Sequence, residues 1–151
     1  VASTIDGLDA EQLHWTPESG VNSIGWLVWH LTRVQDSHIA ELLDDEQVWV
    51  TGDHAARVGV EADPANTGYG HSPTEAAEIR PTSPSALRDY YDAVAARTRG
   101  LLESLDTEAL DQIVDRRWDP PVTMAARLIS IADDDIQHAG QAAYVRGLLP
   151  G

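Results

Sequence analysis

Asp134 and His138 stand four residues apart in the stretch RLISIADDDIQHAGQAAYVRG, which runs from Arg127 to Gly147. On a helix that interval places both side chains on one face, about 40° apart around the axis and ~6 Å along it. A carboxylate oxygen and an imidazole nitrogen so placed can serve one divalent ion of the zinc type, a single rigid element supplying two ligands. A third ligand must come from elsewhere. His30 is the best candidate, because Leu27 and Val34 flank it at three and four residues and turn its face toward a core. His38 is a rival on the same segment, but eight residues, about 12 Å of helix rise, keep one ion from taking both. His14, His54 and His71 fall in segments expected to be loops.

Blander roles compete for the same residues. A lone helix histidine is more often a surface or core residue than a ligand, and D-x-x-x-H is a common spacing. Spacing alone therefore leaves open a buried, hydrogen-bonded Asp134–His138 pair that holds no metal. The outer acids of the triplet, Asp133 and Asp135, read as a solvated face, whereas Ile131 and Ala142 place Asp134 at the edge of the apolar stripe. Arg146 reads either as favourable charge at a helix C-terminus or as a contact for a carboxylate of a cofactor or substrate. Trp26, Trp29, Trp49 and Trp118 are candidates for the wall of an apolar pocket, against the commoner role of packing.

Helices must position these groups. After Asn22, a good N-cap residue, the apolar positions Ile24, Leu27, Val28, Leu31, Val34, Ile39 and Leu42 predict a helix over 23–43. Ser83 followed by Pro84 opens another, in which Leu87, Tyr91, Val94, Thr98, Leu101 and Leu105 alternate at spacings of four and three. A third follows the breaker Asp119-Pro120-Pro121 and a Thr123 cap, with Met124, Leu128, Ile131, His138, Ala142 and Val145 inward and Gly147 as its C′ residue. No segment shows sustained period-two alternation, and no repeat or low-complexity stretch is present. The expected class is an all-α bundle forming one domain over 1–151. Between the second and third of its helices lies a long connection, roughly 44–82, in which Ser72-Pro73-Thr74-Glu75 is a capping box expected to start a short helix through about 79. A connection of that length lets the helices it joins run parallel. The opening VASTIDGLDAEQL reads as the tail of a first helix whose earlier turns are truncated.

Composition excludes several classes of partner. Ten basic against 25 acidic residues give a formal charge of -15, which repels nucleic-acid phosphates and anionic membrane surfaces. No apolar run approaches the ~20 residues of a membrane helix and no signal-peptide pattern is present, so a cytoplasmic protein is expected. The chain contains no cysteine, which removes thiolate ligands and a cysteine nucleophile. No Gly-rich phosphate loop points to a nucleotide. Helix faces carrying Trp and Leu exceed the needs of a bundle this size, and a homodimer through such a face is expected.

The segments SIGWLVWHLTRVQDSH and DDDIQHAGQAAYVRG resemble those of the DinB-like superfamily, especially its thiol-dependent branch, which includes mycothiol-dependent maleylpyruvate isomerase and the mycothiol or bacillithiol S-transferases. The likeness extends over most of the chain. It implies a four-helix bundle in up-down-down-up order, and a divalent metal, zinc or another such as nickel, held by one histidine of the second helix and two residues of the fourth. By motif these are His30, Asp134 and His138. The upstream position on the last helix holds Asp134 where His or Glu is more usual. The implied activity is metal-dependent S-transfer, with a small-molecule thiol such as mycothiol supplying the sulfur that the protein lacks. The same three ligands would also suit a hydrolase that activates water, and a non-catalytic helical binding module is the third reading.

Overall fold

In the computed structural model, which describes residues 1–18 and 20–150, the chain is built around three long helices. They are α3 (Ile24–Leu43), α7 (Pro84–Ser104) and α8 (Met124–Gly147). Short helices α1 (Ala2–Ile5) and α2 (Ala10–His14) precede them, and α4 (Val48–Thr51), α5 (His54–Val58) and α6 (Pro73–Glu78) occupy the connection between α3 and α7. His14 and His54 therefore lie at helix ends rather than in loops.

Caps set most of the boundaries. Ser83, Thr123 and Ser72 each accept a hydrogen bond from a backbone N–H three residues on, and Ser72 forms the full capping box with Glu75. At α3 the cap is Ser23, whose hydroxyl accepts from the Trp26 amide, and not Asn22 one residue earlier. Gly147 remains helical; the chain leaves α8 through bonds from the Leu148 and Leu149 amides to the carbonyls of Val145 and Arg146, so no left-handed C′ residue is needed. A two-stranded hairpin, β1 (Ile113–Asp115) with β2 (Val122–Thr123), was not anticipated. Its strands are three and two residues long, too short for alternation to register, and the pair is held by side chains. Asp115 accepts from both Arg117 and Arg127.

Residue pairs give the directions of the long helices. His30 faces His138 while Ile39 clusters with Ile131, so α3 and α8 are antiparallel. Tyr90 meets Asp36, Thr98 meets Gln35 and Leu101 meets Ile39, so α3 and α7 are parallel, as the long connection permits. The main core joins Leu27, Val28 and Trp29 of α3 to Leu87, Tyr90 and Val94 of α7 and to Ala142 and Val145 of α8. Trp49 on α4 is also fully buried, its ring 6.0 Å from that of Trp29. Arg146 donates to the carbonyls of Ser3 (3.0 Å) and Thr4 (2.7 Å), tying α1 to the end of α8.

Candidate metal centre

α3 and α8 bring together the three side chains singled out by spacing. His30, Asp134 and His138 each offer one ligand atom, and these atoms all lie within 4.8 Å of one another. His30 is buried, and the other two are half-buried at the open edge of the α3–α8 contact. His138 Nε2 sits 3.6 Å from Asp134 Oδ1, close to the ~3.4 Å edge of a tetrahedron with metal–ligand bonds of about 2.0–2.1 Å.

Neighbouring groups decide which ring nitrogens face the centre. The Thr67 carbonyl lies 2.5 Å from His30 Nδ1. A carbonyl only accepts, so Nδ1 carries the proton and Nε2 keeps its lone pair. On α8 the Gln141 side-chain oxygen lies 3.0 Å from His138 Nδ1, with the same consequence. Both imidazoles are thereby oriented as metal-ligating histidines are, through the nitrogen not used for the metal. Asp134 Oδ2 is buried without a hydrogen-bond partner among the described residues. An orphaned carboxylate oxygen beside two inward lone pairs is a poor arrangement without a cation and a suitable one with it. The residues present fit a divalent ion.

Electrostatics agree with a neutral His30. Burial pushes the His30 pKa below its ordinary value, outweighing the Thr67 carbonyl, which acts in the opposite direction. Asp135 differs from the sequence expectation: it is half-buried rather than solvated, and burial together with the Asp134 charge raises its pKa to about 7. Asp133 is exposed and accepts from Gln137, as expected.

Of the four tryptophans considered for a pocket wall, Trp26 alone borders the centre. Its ring stacks on His30 at 4.5 Å and meets His138 edge-on at 6.3 Å. Trp29 and Trp49 pack in the core, and Trp118 projects from the hairpin 66% exposed. Beside the centre, beyond Gln141, a cleft of about 490 Å³ is lined by Val21, Asn22, Leu27, Gly140, Tyr144 and Val145. Arg146 is engaged with α1, and His38 lies beside Glu41, 3.8 Å away.

Two contributors escaped sequence reasoning. His71 accepts from the Trp26 indole N–H (3.2 Å) and donates to Asn66 Oδ1 (2.9 Å), fixing the ring that stacks on His30. Gly68 has φ +89°, and a Cβ there would stand 2.9 Å from His30 Nδ1 and 2.8 Å from the Trp29 ring. The glycines of Asn66-Thr67-Gly68-Tyr69-Gly70 were the available signal for such close approach.

A family model described as the DinB superfamily matches residues 1–142. The chain belongs to the DinB superfamily. Its fold is also that of a solved structure titled a crystal structure of the conserved protein of locus from Enterococcus faecalis, with a TM-score of 0.87 and 30% identity over 95% of this chain and 85% of that one. No functionally curated protein matches the chain. The DinB assignment accounts for the all-α bundle.

Proposed function

We propose that this DinB protein is a divalent-metal-dependent S-transferase, acting in the cytoplasm on a low-molecular-weight thiol of the mycothiol kind and a soft electrophile. The observation that carries the reading is the pair of histidines held by Thr67 and Gln141 with their Nε2 atoms left for a cation beside Asp134. Zinc suits two imidazoles and one carboxylate, and three protein ligands leave a position for an exogenous group. When bound, the ion supplies positive charge that lowers the pKa of an adjacent thiol.

The chain's own residues supply the remainder. His30, Asp134 and His138 hold the cation, and Trp26 covers the His30 ring from water. The proton released as the S–H bond breaks passes to solvent at the open edge of the site, and Asp134 Oδ2, without a hydrogen-bond partner among the described residues, keeps its negative charge for the cation. The sulfur then forms a bond to the electrophilic carbon, and the leaving group departs with its electron pair. The neighbouring cleft, with Leu27, Tyr144 and Val145 in its wall, suits an apolar electrophile. The absence of cysteine fits a division of labour in which the co-substrate brings the sulfur.

Turnover of a soft electrophile such as a bimane dye, assayed with mycothiol, bacillithiol and simpler thiols, tests the reading. Product should form only with both metal and thiol, and its mass should show a new thioether. Prior treatment with a thiol-blocking reagent, then removed, should leave activity unchanged. Activity that survives chelation, or failure of every thiol, would overturn the assignment.

A further inference from the structure

The guanidinium of Arg33 is fully buried one helical turn beyond His30, yet it touches none of the three candidate ligands. Its bonds run to the crossover. Nε donates to the Asn66 carbonyl (3.0 Å), and Nη2 donates to the carbonyls of Pro64 (3.1 Å) and Asp63 (3.5 Å). On its other side Nη1 donates to the Tyr90 hydroxyl (3.1 Å) and to Asp36 Oδ2 (3.5 Å). Asp36 is equally buried and is itself fixed, accepting from the Tyr90 hydroxyl (2.8 Å) and from the Val48 and Trp49 amides at the start of α4 (3.0 and 2.8 Å). The Arg33 plane lies over the Trp49 ring, 4.9 Å from its centroid.

A desolvated arginine is costly unless its donors are matched. Three of its bonds go to successive parts of one loop, and the residue next in that loop is Thr67. We propose that Arg33 is a positioning residue for the metal centre: it clamps residues 63–66 so that the Thr67 carbonyl holds His30 in the Nδ1–H form and leaves Nε2 facing Asp134 and His138. The inference rests on the metal-site reading but not on S-transfer. Asn66 completes the clamp from the loop side, its Oδ1 accepting from the Gly68 amide (3.2 Å) and from His71 (2.9 Å). The carbonyl that orients His30 is thus bracketed by the Arg33 grip on Asn66 and by the Asn66 grip on Gly68 and His71. A lysine at position 33 keeps the charge but loses the fork that spans several carbonyls.

The test compares Arg33→Lys with Tyr90→Phe, which disturbs the same buried cluster without touching the loop. Each full-length variant is measured for thermal unfolding, for zinc affinity by chelator competition, and for the ¹⁵N shifts of His30 in metal-free protein at pH 8. Arg33→Lys should weaken zinc about 10- to 100-fold, the usual effect of losing support behind a ligand, and should shift His30 from one tautomer to a mixture. Tyr90→Phe should retain the single tautomer and near-native affinity even where its unfolding midpoint falls as far. If Arg33→Lys does not fold, Arg33→Gln, which also loses the fork and leaves Asp36 with its Tyr90, Val48 and Trp49 donors, reads the same coupling and should also mix the tautomers. Retention of the Nδ1–H tautomer in a folded Arg33→Lys or Arg33→Gln would overturn the proposal, as would equal tautomer mixing in Tyr90→Phe. A wild type that binds no zinc would refute the metal reading while the metal-free tautomer comparison still decides the clamp.

Discussion

Nε2 of His138 lies 3.6 Å from Oδ1 of Asp134, one turn back along α8. Among the described residues neither group has another protein partner at that atom, and His30 completes the triangle from α3. Replacing one ligand of three removes a coordinate bond and leaves the others too few to hold a divalent ion at neutral pH. His138→Ala is therefore expected to purify without stoichiometric zinc. His38→Ala should keep a full complement, because His38 lies beside Glu41 instead. Elemental analysis of the two variants checks this, and the reverse pattern would place the ion elsewhere.

Gly68 follows Thr67, where the crossover meets His30. Its φ of +89° disfavours any side chain, and an added Cβ would press on the His30 and Trp29 rings. Gly68→Ala should lose about 1–3 kcal/mol of stability from strain and overpacking together. Zinc affinity should fall with it, since His30 must move. Denaturant unfolding and chelator competition on the same preparation measure both effects, whereas Gly100→Ala, where the added atom meets nothing within 4 Å, should lose neither.

Burial of His30 makes a pH prediction with a definite sign. Its folded-state pKa is lowered, mainly by burial, from an unfolded value near 6.5. As pH falls through about 6.5 the unfolded chain therefore takes up a proton that the folded chain resists, and metal-free protein loses stability until the folded pKa is passed. Asparagine can still donate to the Thr67 carbonyl but does not titrate. The unfolding midpoint of His30→Asn relative to wild type, both with chelator, should rise between pH 8 and pH 5.5. A difference that stays constant across that range would show that the ring is not held neutral by burial.

The long helices and the ligand pair were legible in the sequence because period and caps are local. The window 23–43 differs from α3 by a single residue, and Thr123 and Ser83 are the caps found. His30 was legible through its flanking Leu27 and Val34. The Thr67 carbonyl was not, because a backbone acceptor has no residue type to betray it, and its partner lies 37 residues away. Asp135 was misread for a related reason. Its face of α8 is apolar or solvated only according to what packs there, and partial burial left its carboxyl with a raised pKa. Likewise Trp29 and Trp118 share a residue type, yet one fills the core and the other projects from a hairpin that local periodicity did not announce. Arg33 follows Trp26 and Trp29 at seven and four residues on one buried helix face, and spacing alone does not announce the loop carbonyls it grips.

Gly140 lies in the wall of the cleft beside Gln141, and a Cβ built there meets nothing within 4 Å. A side chain at this position would therefore occupy the cleft instead of straining the bundle. Gly140→Leu also replaces a poor helix former in the interior of α8, a change worth about 0.5–1 kcal/mol in favour of folding. Stability should hold or rise, and zinc content should be unchanged because His138 and its Gln141 partner are untouched. If the electrophile occupies this cleft, kcat/KM should fall about 10-fold or more, with the loss expressed chiefly in KM. Steady-state kinetics with a bulky and a small electrophile separate the cases. The larger substrate should suffer more, and equal kinetics for wild type and Gly140→Leu would move the substrate out of this cleft.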